Sequence, residues 1–180
     1  MRDADPTGLW QRFDLIEQTW CLRVNRGCHI APLRRFFAVV SRLGDGVFWY
    51  ILMLALAMSG EAGATVAAQM ALTGLACLIV YKQLKHRLVR ERPYIALAAI
   101  QLGAAPLDRY SFPSGHTLHA VAFTIVATAH VPPLAPVLWP FTALVAASRV
   151  VLGLHYPTDV AAGALIGAAV AATSLSYWPG

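Results

Sequence analysis

Residues 111–119 read Ser-Phe-Pro-Ser-Gly-His-Thr-Leu-His and run straight into the apolar stretch Ala120–Ala129. Pro113 ends whatever precedes it and biases Phe112 to an extended conformation. Ser114 is a good N-cap, because its hydroxyl can accept a hydrogen bond from a free first-turn amide. Gly115 lets backbone approach a ligand closely, and His116 then falls in the first helical turn. A helix N-terminus gathers unpaired N–H groups and partial positive charge, which suits an anion. A histidine placed there can also move a proton near neutral pH. The stretch reads as a phosphate seat with a proton donor beside it; taken alone, it is equally an ordinary capped helix start.

What surrounds it decides the fold class. Only 13% of the 180 residues are charged and 58% are hydrophobic, with a mean hydropathy of +0.58. A soluble domain carries roughly 25% charged residues, and here the charges cluster, leaving long stretches that approach helical membrane-spanning length. The expectation is an all-α, polytopic membrane helix bundle with about five spans: Gly46–Ser59, Ala64–Tyr81, Thr117 to about Val131, Leu134–Leu154 and Thr158–Trp178. Pro140 predicts a kink in the fourth, and Gly163-x-x-x-Gly167 gives the fifth a small-residue surface for close helix contact. Before the first span, Trp10, Phe13, Ile16, Trp20 and Val24 recur at helical spacing among Arg12, Asp14, Glu17 and Arg23. That helix is too polar to span, and its tryptophans suit the membrane interface; Ala31–Leu43 repeats the theme. The chain divides into an amphipathic interfacial segment, 1–44, and a helix-bundle domain, 45–178. Met1–Arg12 has no apolar core of a signal peptide. Cys77 lies in an apolar run as a small core residue, whereas Cys21 and Cys28 are free to pair or not.

Following the chain across the bilayer brings three polar clusters to one face: Lys85 with Arg92-Pro93, then Pro113-Ser114-Gly115-His116, then Ser148-Arg149 with His155 and Asp159. Each sits at a helix end, not in mid-membrane, where charge is expensive. Lys85, Arg92 and Arg149 supply three cations, and guanidinium groups fit phosphate oxygens bidentately. His155 and Asp159 are four apart, so the carboxylate can accept a hydrogen bond from one ring nitrogen and leave the other free to attack. His116 can protonate a leaving oxygen, while cations and helix-end amides stabilise the transferring phosphoryl group.

In this order and at these spacings the clusters resemble the three signatures of the type 2 phosphatidic acid phosphatases, membrane relatives of the vanadium haloperoxidases: Lys-x6-Arg-Pro, Pro-Ser-Gly-His and Ser-Arg-x5-His-x3-Asp. The resemblance covers roughly residues 45–178. It implies a phosphatase with no cofactor and no metal, acting on a lipid phosphate or diphosphate such as phosphatidic acid, phosphatidylglycerol phosphate or a polyprenyl diphosphate. By position, His155 would form the phosphohistidine, Asp159 would orient it, and His116 would be the general acid. Lys85, Arg92 and Arg149 would hold the phosphate, with Ser114 and the Gly115 amide assisting. Many bacterial members have six spans, and this chain departs from them in its first.

Other readings stay open. His116 and His119 with His155 and Asp159 are conceivable ligands of a metal-dependent hydrolase, and the same bundle can serve as a lipid-binding or transport protein without catalysis. Tyr110 and Phe112 are candidates to line the lipid entrance, or are interface aromatics; His86 reads as one more basic group near headgroups, and His29 and His130 have no evident partner. Partners are expected to be the lipid phosphate and membrane lipids, not nucleic acid. All 14 Lys and Arg fall on the N-terminal, catalytic side of the five-span trace. The positive-inside rule then puts the site on the cytoplasmic face of a bacterial inner membrane; the periplasmic face, usual for six-span members, is the alternative.

Overall fold

The computed structural model describes residues 6–106 and 108–178, apart from the side chains of residues 6, 7, 9–11 and 13, so Trp10 and Phe13 of the amphipathic pattern lie outside the described side chains. Among the described residues eight α-helices follow in order: α1 (Pro6–Asn25), α2 (Ala31–Arg42), α3 (Phe48–Ala57), α4 (Glu61–Arg87), the single turn α5 (Pro93–Ala96), α6 (Gly115–His130), α7 (Ala135–Val151) and α8 (Pro157–Tyr177). No strand occurs among the described residues.

Four helical stretches among the described residues are long and apolar enough to cross a membrane: Ala31–Ala57, Glu61–Arg87, Pro132–Val151 and Pro157–Tyr177. The protein is a multi-pass membrane protein. Two expectations change here. The first span does not begin near residue 46, because α2 continues into α3 through a wide turn, Leu43–Val47, whose break is at Gly46 (φ 127°). The third expected span, α6, has 16 residues; at about 1.5 Å per residue it is shorter than a usual span and is the central, most enclosed helix. It packs against α4, α7 and α8, and Leu118, Ala120, Ala122, Val126 and Ala127 are fully buried. Pro140 lies inside α7, which is continuous from Ala135 to Val151, and the break in helical φ/ψ falls at Asp45 and Gly46.

The pattern of outward side chains suits lipid. Tyr50, Ile51 and Leu54 on α3, Leu72, Leu75 and Ile79 on α4, Val137 on α7 and Leu165 on α8 are exposed, as expected where the solvent is hydrocarbon and backbone polar groups are satisfied within each helix. Inside, Trp49, Met70, Phe123, Leu138 and Val145 form the centre of the core. The small-residue reading of α8 holds. A Cβ on Gly163 would sit 2.6 Å from the Ser114 carbonyl oxygen, and one on Gly167 would sit 2.3 Å from that of Leu118. Only glycine allows α8 to lie this close to the backbone of α6.

The N-terminal helices dock on the bundle end that carries the polar clusters. Cys21 packs with Ile100 and Tyr156, and Cys28 with Leu152 and Leu154. Both thiols are free, and burial beside Glu17 and Asp159 pushes that of Cys21 up to about 12. Asn25 donates from its amide to the carbonyls of Gln101 and Val151, each at 2.9 Å.

Candidate active site

His155 sits in the turn between α7 and α8. Its own N–H and that of Leu154 both donate to the Arg149 carbonyl, at 3.1 and 3.0 Å, which folds the chain back over the end of α7. Nη1 of Arg92 lies 3.0 Å from His155 Nε2 and donates to the Leu154 carbonyl at 2.9 Å. A guanidinium has no acceptor, so Nε2 is the acceptor and the ring proton belongs on Nδ1. His155 is 2% exposed. Burial, with the cations Arg149, Arg92 and Lys85 around it, holds its pKa well below the usual range. The imidazole is therefore neutral, with a lone pair on Nε2.

Asp159 faces Nδ1 of His155 at 3.7 Å, too far for the hydrogen bond that their spacing suggests. Its oxygens are held elsewhere: Oδ2 accepts the N–H of Tyr156 at 2.8 Å, and Oδ1 accepts Nη1 of Arg90 at 2.9 Å. Among the described residues Nδ1 of His155 has no hydrogen-bond partner. The carboxylate caps the first turn of α8, and that duty sets its distance from the ring.

His116 enters from the first turn of α6, with Nε2 3.1 Å from Oδ1 of Asp45. Ser114 occupies the N-cap position, but its hydroxyl does not cap an amide; it pairs with the hydroxyl of Thr117 at 3.0 Å. The Ser114 φ/ψ (−73°, 104°) is the extended conformation of a cap, while its backbone N–H donates to the Asp159 carbonyl at 3.0 Å. This bond ties the start of α6 to the start of α8. His119 donates from Nδ1 to the Gly115 carbonyl at 2.8 Å.

The cations divide. Arg92, Arg149, Gly115, His116 and His155 line one cavity of about 600 Å³. Arg149 is buried, with Nη1 on the Ser41 hydroxyl, and its buried Nε has no partner among the described residues. Lys85 lies behind the cavity wall, bonded to the Tyr81 hydroxyl at 2.5 Å and to Oδ2 of Asp108 at 2.6 Å. Arg92 reaches the same carboxylate at 3.0 Å. Partial burial would raise the Asp108 pKa, but hydrogen bonds from Lys85 and Arg92 outweigh it and hold the group below the usual carboxylate range.

Away from these polar groups the cavity is apolar and runs between α3 and α4, past Trp49, Tyr50, Met53, Leu75 and Leu78 to Phe123. These side chains, not Tyr110 and Phe112, line it; Tyr110 instead pairs its backbone with Glu91. His130, without an evident partner in the sequence, bonds to Gln69 at the opposite end of the bundle.

Sequence reasoning missed Asp45, Asp108, Arg90 and the contact role of Glu17. Asp108 had a usable signal, as the one acid in the stretch 93–113. Asp45 lies in Gly44-Asp45-Gly46, a polar break at the edge of an apolar run. Nothing local marks Glu17.

The fold and the site together define a multi-pass membrane protein with a histidine and cation centre at one end of an apolar cavity. The chain belongs to the PAP2 superfamily, whose profile matches residues 46–179. It is 39% identical over 90 residues to the decaprenylphosphoryl-5-phosphoribose phosphatase of Mycobacterium tuberculosis, a match covering 49% of this chain and 48% of that protein. The enzyme of the same name from Mycolicibacterium smegmatis is 40% identical over 82 residues, covering 44% and 42%. The match thus spans about half the length of these relatives. Among solved structures, LpxE of Aquifex aeolicus superposes with a TM-score of 0.74 at 28% identity, over 87% of this chain and 94% of that one. A PAP2 type phosphatidylglycerolphosphate phosphatase from Bacillus subtilis shares the fold, with a TM-score of 0.66 at 22% identity over 96% and 94%.

Proposed function

We propose that this protein is a membrane lipid phosphatase working through a phosphohistidine on Nε2 of His155. The observation that carries the reading is the placement of a neutral, buried His155, its Nε2 against Arg92, in a cavity that continues as an apolar groove between two lipid-facing helices. The headgroup phosphate lies against Arg92, Arg149 and the amide end of α6 at Gly115. Lys85 stands behind, sharing Asp108 with Arg92 and so helping to hold that guanidinium in place, and Ser114 shapes the helix start. The acyl or prenyl chain lies along Trp49, Met53 and Leu75.

In the first step Nε2 attacks phosphorus as the bond to the lipid oxygen breaks, and His116 gives that oxygen its proton. Asp159 favours the positive charge that develops on the His155 ring. In the second step His116 takes a proton from water, whose oxygen attacks phosphorus; the P–N bond breaks, inorganic phosphate leaves and His155 is restored. The positive charge of Arg92 and Arg149 around the histidines favours a phosphate over a divalent cation, so activity is expected to persist in excess chelator.

The favoured substrates are phosphatidic acid and phosphatidylglycerol phosphate, with the site on the cytoplasmic face. The mycobacterial relatives, named as phosphatases of a decaprenyl-linked phosphate, favour a second reading of the substrate, a polyprenyl-linked phosphate; the periplasmic face is the alternative side. Phosphate release by the purified protein from a panel of all three substrate types separates them, and failure on all three overturns the phosphatase reading. Vanadate, a mimic of the five-coordinate transition state, should compete with substrate. Single cysteines near Gly103 and Glu61, in a background lacking the native three, report the face. Labelling of a cysteine at the exposed neighbour Leu102 by an impermeant reagent in intact cells, with 61 protected, overturns the cytoplasmic assignment.

A further inference from the structure

The N-terminal helix lies outside the stretch matched by the family profile, 46–179, yet one of its side chains reaches the back of the site. Glu17 on α1 is 5% exposed. Its Oε1 accepts the Thr158 N–H at 2.9 Å and also the Thr158 hydroxyl. Its Oε2 accepts Nη2 of Arg90 at 2.5 Å. Arg90 spends Nη1 on Oδ1 of Asp159 at 2.9 Å and on Oγ1 of Thr158 at 2.8 Å, and its guanidinium lies 3.9 Å over the ring of Tyr156. Asp159, 0% exposed, is thus gripped on one oxygen by Arg90 and on the other by the Tyr156 N–H.

This arrangement does two physical things. It leaves the Asp159 carboxylate one orientation, with Oδ2 toward Nδ1 of His155. It also keeps that carboxylate effectively negative. Arg90 alone would cancel the charge of Asp159, whereas Arg90 shared between two carboxylates leaves the trio with a net charge of about −1, by formal charges at neutral pH. The ring proton of His155 faces that remaining charge.

We propose that Glu17 and Arg90 are positioning residues for the reaction, acting through Asp159 on His155, so that α1 completes the site. The proposal rests on the phosphohistidine reading above. A part that merely holds the helices together would affect every form of the enzyme alike. A part that acts through Asp159 has nothing to act on once that carboxylate is gone.

The test is a set of double-mutant comparisons on the full-length protein in detergent, with a short-chain phosphatidic acid as substrate and thermal unfolding as the folding control. Arg90→Gln should lower kcat by about 10–100-fold, the range for groups that orient a first-layer residue, with KM within about twofold. Glu17→Gln should lower kcat in the same way but less. In an Asp159→Asn background, Arg90→Gln should cost less than about twofold, because groups acting through one residue are not additive. Asn25→Ala loosens α1 at its other end without touching Asp159, and should cost the same factor in both backgrounds. If Arg90→Gln does not purify as a folded protein, Arg90→Lys takes its place, with a kcat between those of wild type and the double variant Glu17→Gln, Arg90→Lys. Equal losses from the Arg90 change in the wild-type and Asp159→Asn backgrounds overturn the proposal, as does an unchanged kcat for Glu17→Gln and the Arg90 variant. A wild-type protein that releases no phosphate from any lipid phosphate instead overturns the functional reading, and this proposal with it, before any variant is compared.

Discussion

The two ends of the bundle use the same helices in opposite ways. At the end away from the site, α4, α6 and α8 are joined through amide, hydroxyl and imidazole groups. His130 meets Gln69 at 2.7 Å, Gln69 donates to the Ser174 hydroxyl at 3.2 Å, and Thr73 donates to that hydroxyl at 2.8 Å. Each polar group there answers another polar group. At the site end, Lys85, Arg90, Arg92, Arg149, Glu17, Asp45, Asp108 and Asp159 crowd around two histidines. Among the described residues, two buried donors on cavity-lining side chains remain over after all the pairing, the Nε of Arg149 and the Nε1 of Trp49, while the Nδ1 of His155, also without a hydrogen bond, faces Asp159. Satisfied polar groups inside a bundle fix its geometry, while surplus donors are available to a substrate. One end is closed by its own pairing, and the other keeps donors in reserve for the phosphate proposed above.

This contrast predicts that substitutions at the site end stop turnover and spare the fold, and that those at the far end do the reverse. The largest effect is expected for His155→Ala. Turnover should fall below about 1% of wild type, as it does when the nucleophile of a covalent mechanism is lost, with an unchanged unfolding temperature; activity well above that level removes His155 from the role. Next is His116→Ala, expected to slow a natural alkyl phosphate by about 10²–10⁴-fold but a nitrophenyl phosphate much less, since nitrophenolate leaves without a proton. An equal loss on both substrates speaks against the acid role.

Gly167→Ala tests the seam between the two ends. Its new methyl would meet the Leu118 carbonyl, and a cost of about 1–3 kcal/mol is expected from forced overpacking, read as a lower unfolding temperature in detergent. A variant as stable as wild type would mean that α8 can back away freely. The smallest effect is expected for Gln69→Leu. Gln69 is bonded to His130 on α6 and to Ser174 on α8; at about 0.6 kcal/mol on average for each interhelical hydrogen bond in a membrane protein, its loss should cost about 1 kcal/mol, and kcat should stay within about twofold of wild type. A large fall in kcat with normal stability would erase the distinction between the ends.

That the residues proposed for the chemistry would meet was legible in the sequence, because they stand at particular offsets along helix ends. Arg92, Gly115, His116, Arg149 and His155 do line one cavity. The apolar spans were equally plain, as lipid leaves little choice of residue. Three kinds of fact were not legible. Which atoms a side chain spends is one: Ser114 and Asp159 stand where their spacing puts them, but the Ser114 hydroxyl goes to Thr117 and the Asp159 oxygens go to Tyr156 and Arg90. Partners from distant segments are another, since Asp45 and Asp108 become ligands of the site only through folding. The third is continuity. Arg34, Arg35 and Arg42 make α2 look like a separate surface helix, yet the chain runs on into α3 across the break at Gly46, with Ser41 and Gly44 packed against α7 at Arg149 and Val145.

The bond from the Ser114 N–H to the Asp159 carbonyl has a consequence for how such proteins diverge. It joins main chain to main chain, so no substitution at either position removes it short of proline at 114. The helix that carries His116 and the helix that begins beside His155 are therefore registered by a link that side-chain change cannot reach. Side chains that line the apolar groove on α3 and α4 can change while this link between the two helix starts stays put. Transplanting the histidines alone into another bundle would carry over the reagents but leave behind the jig that spaces them.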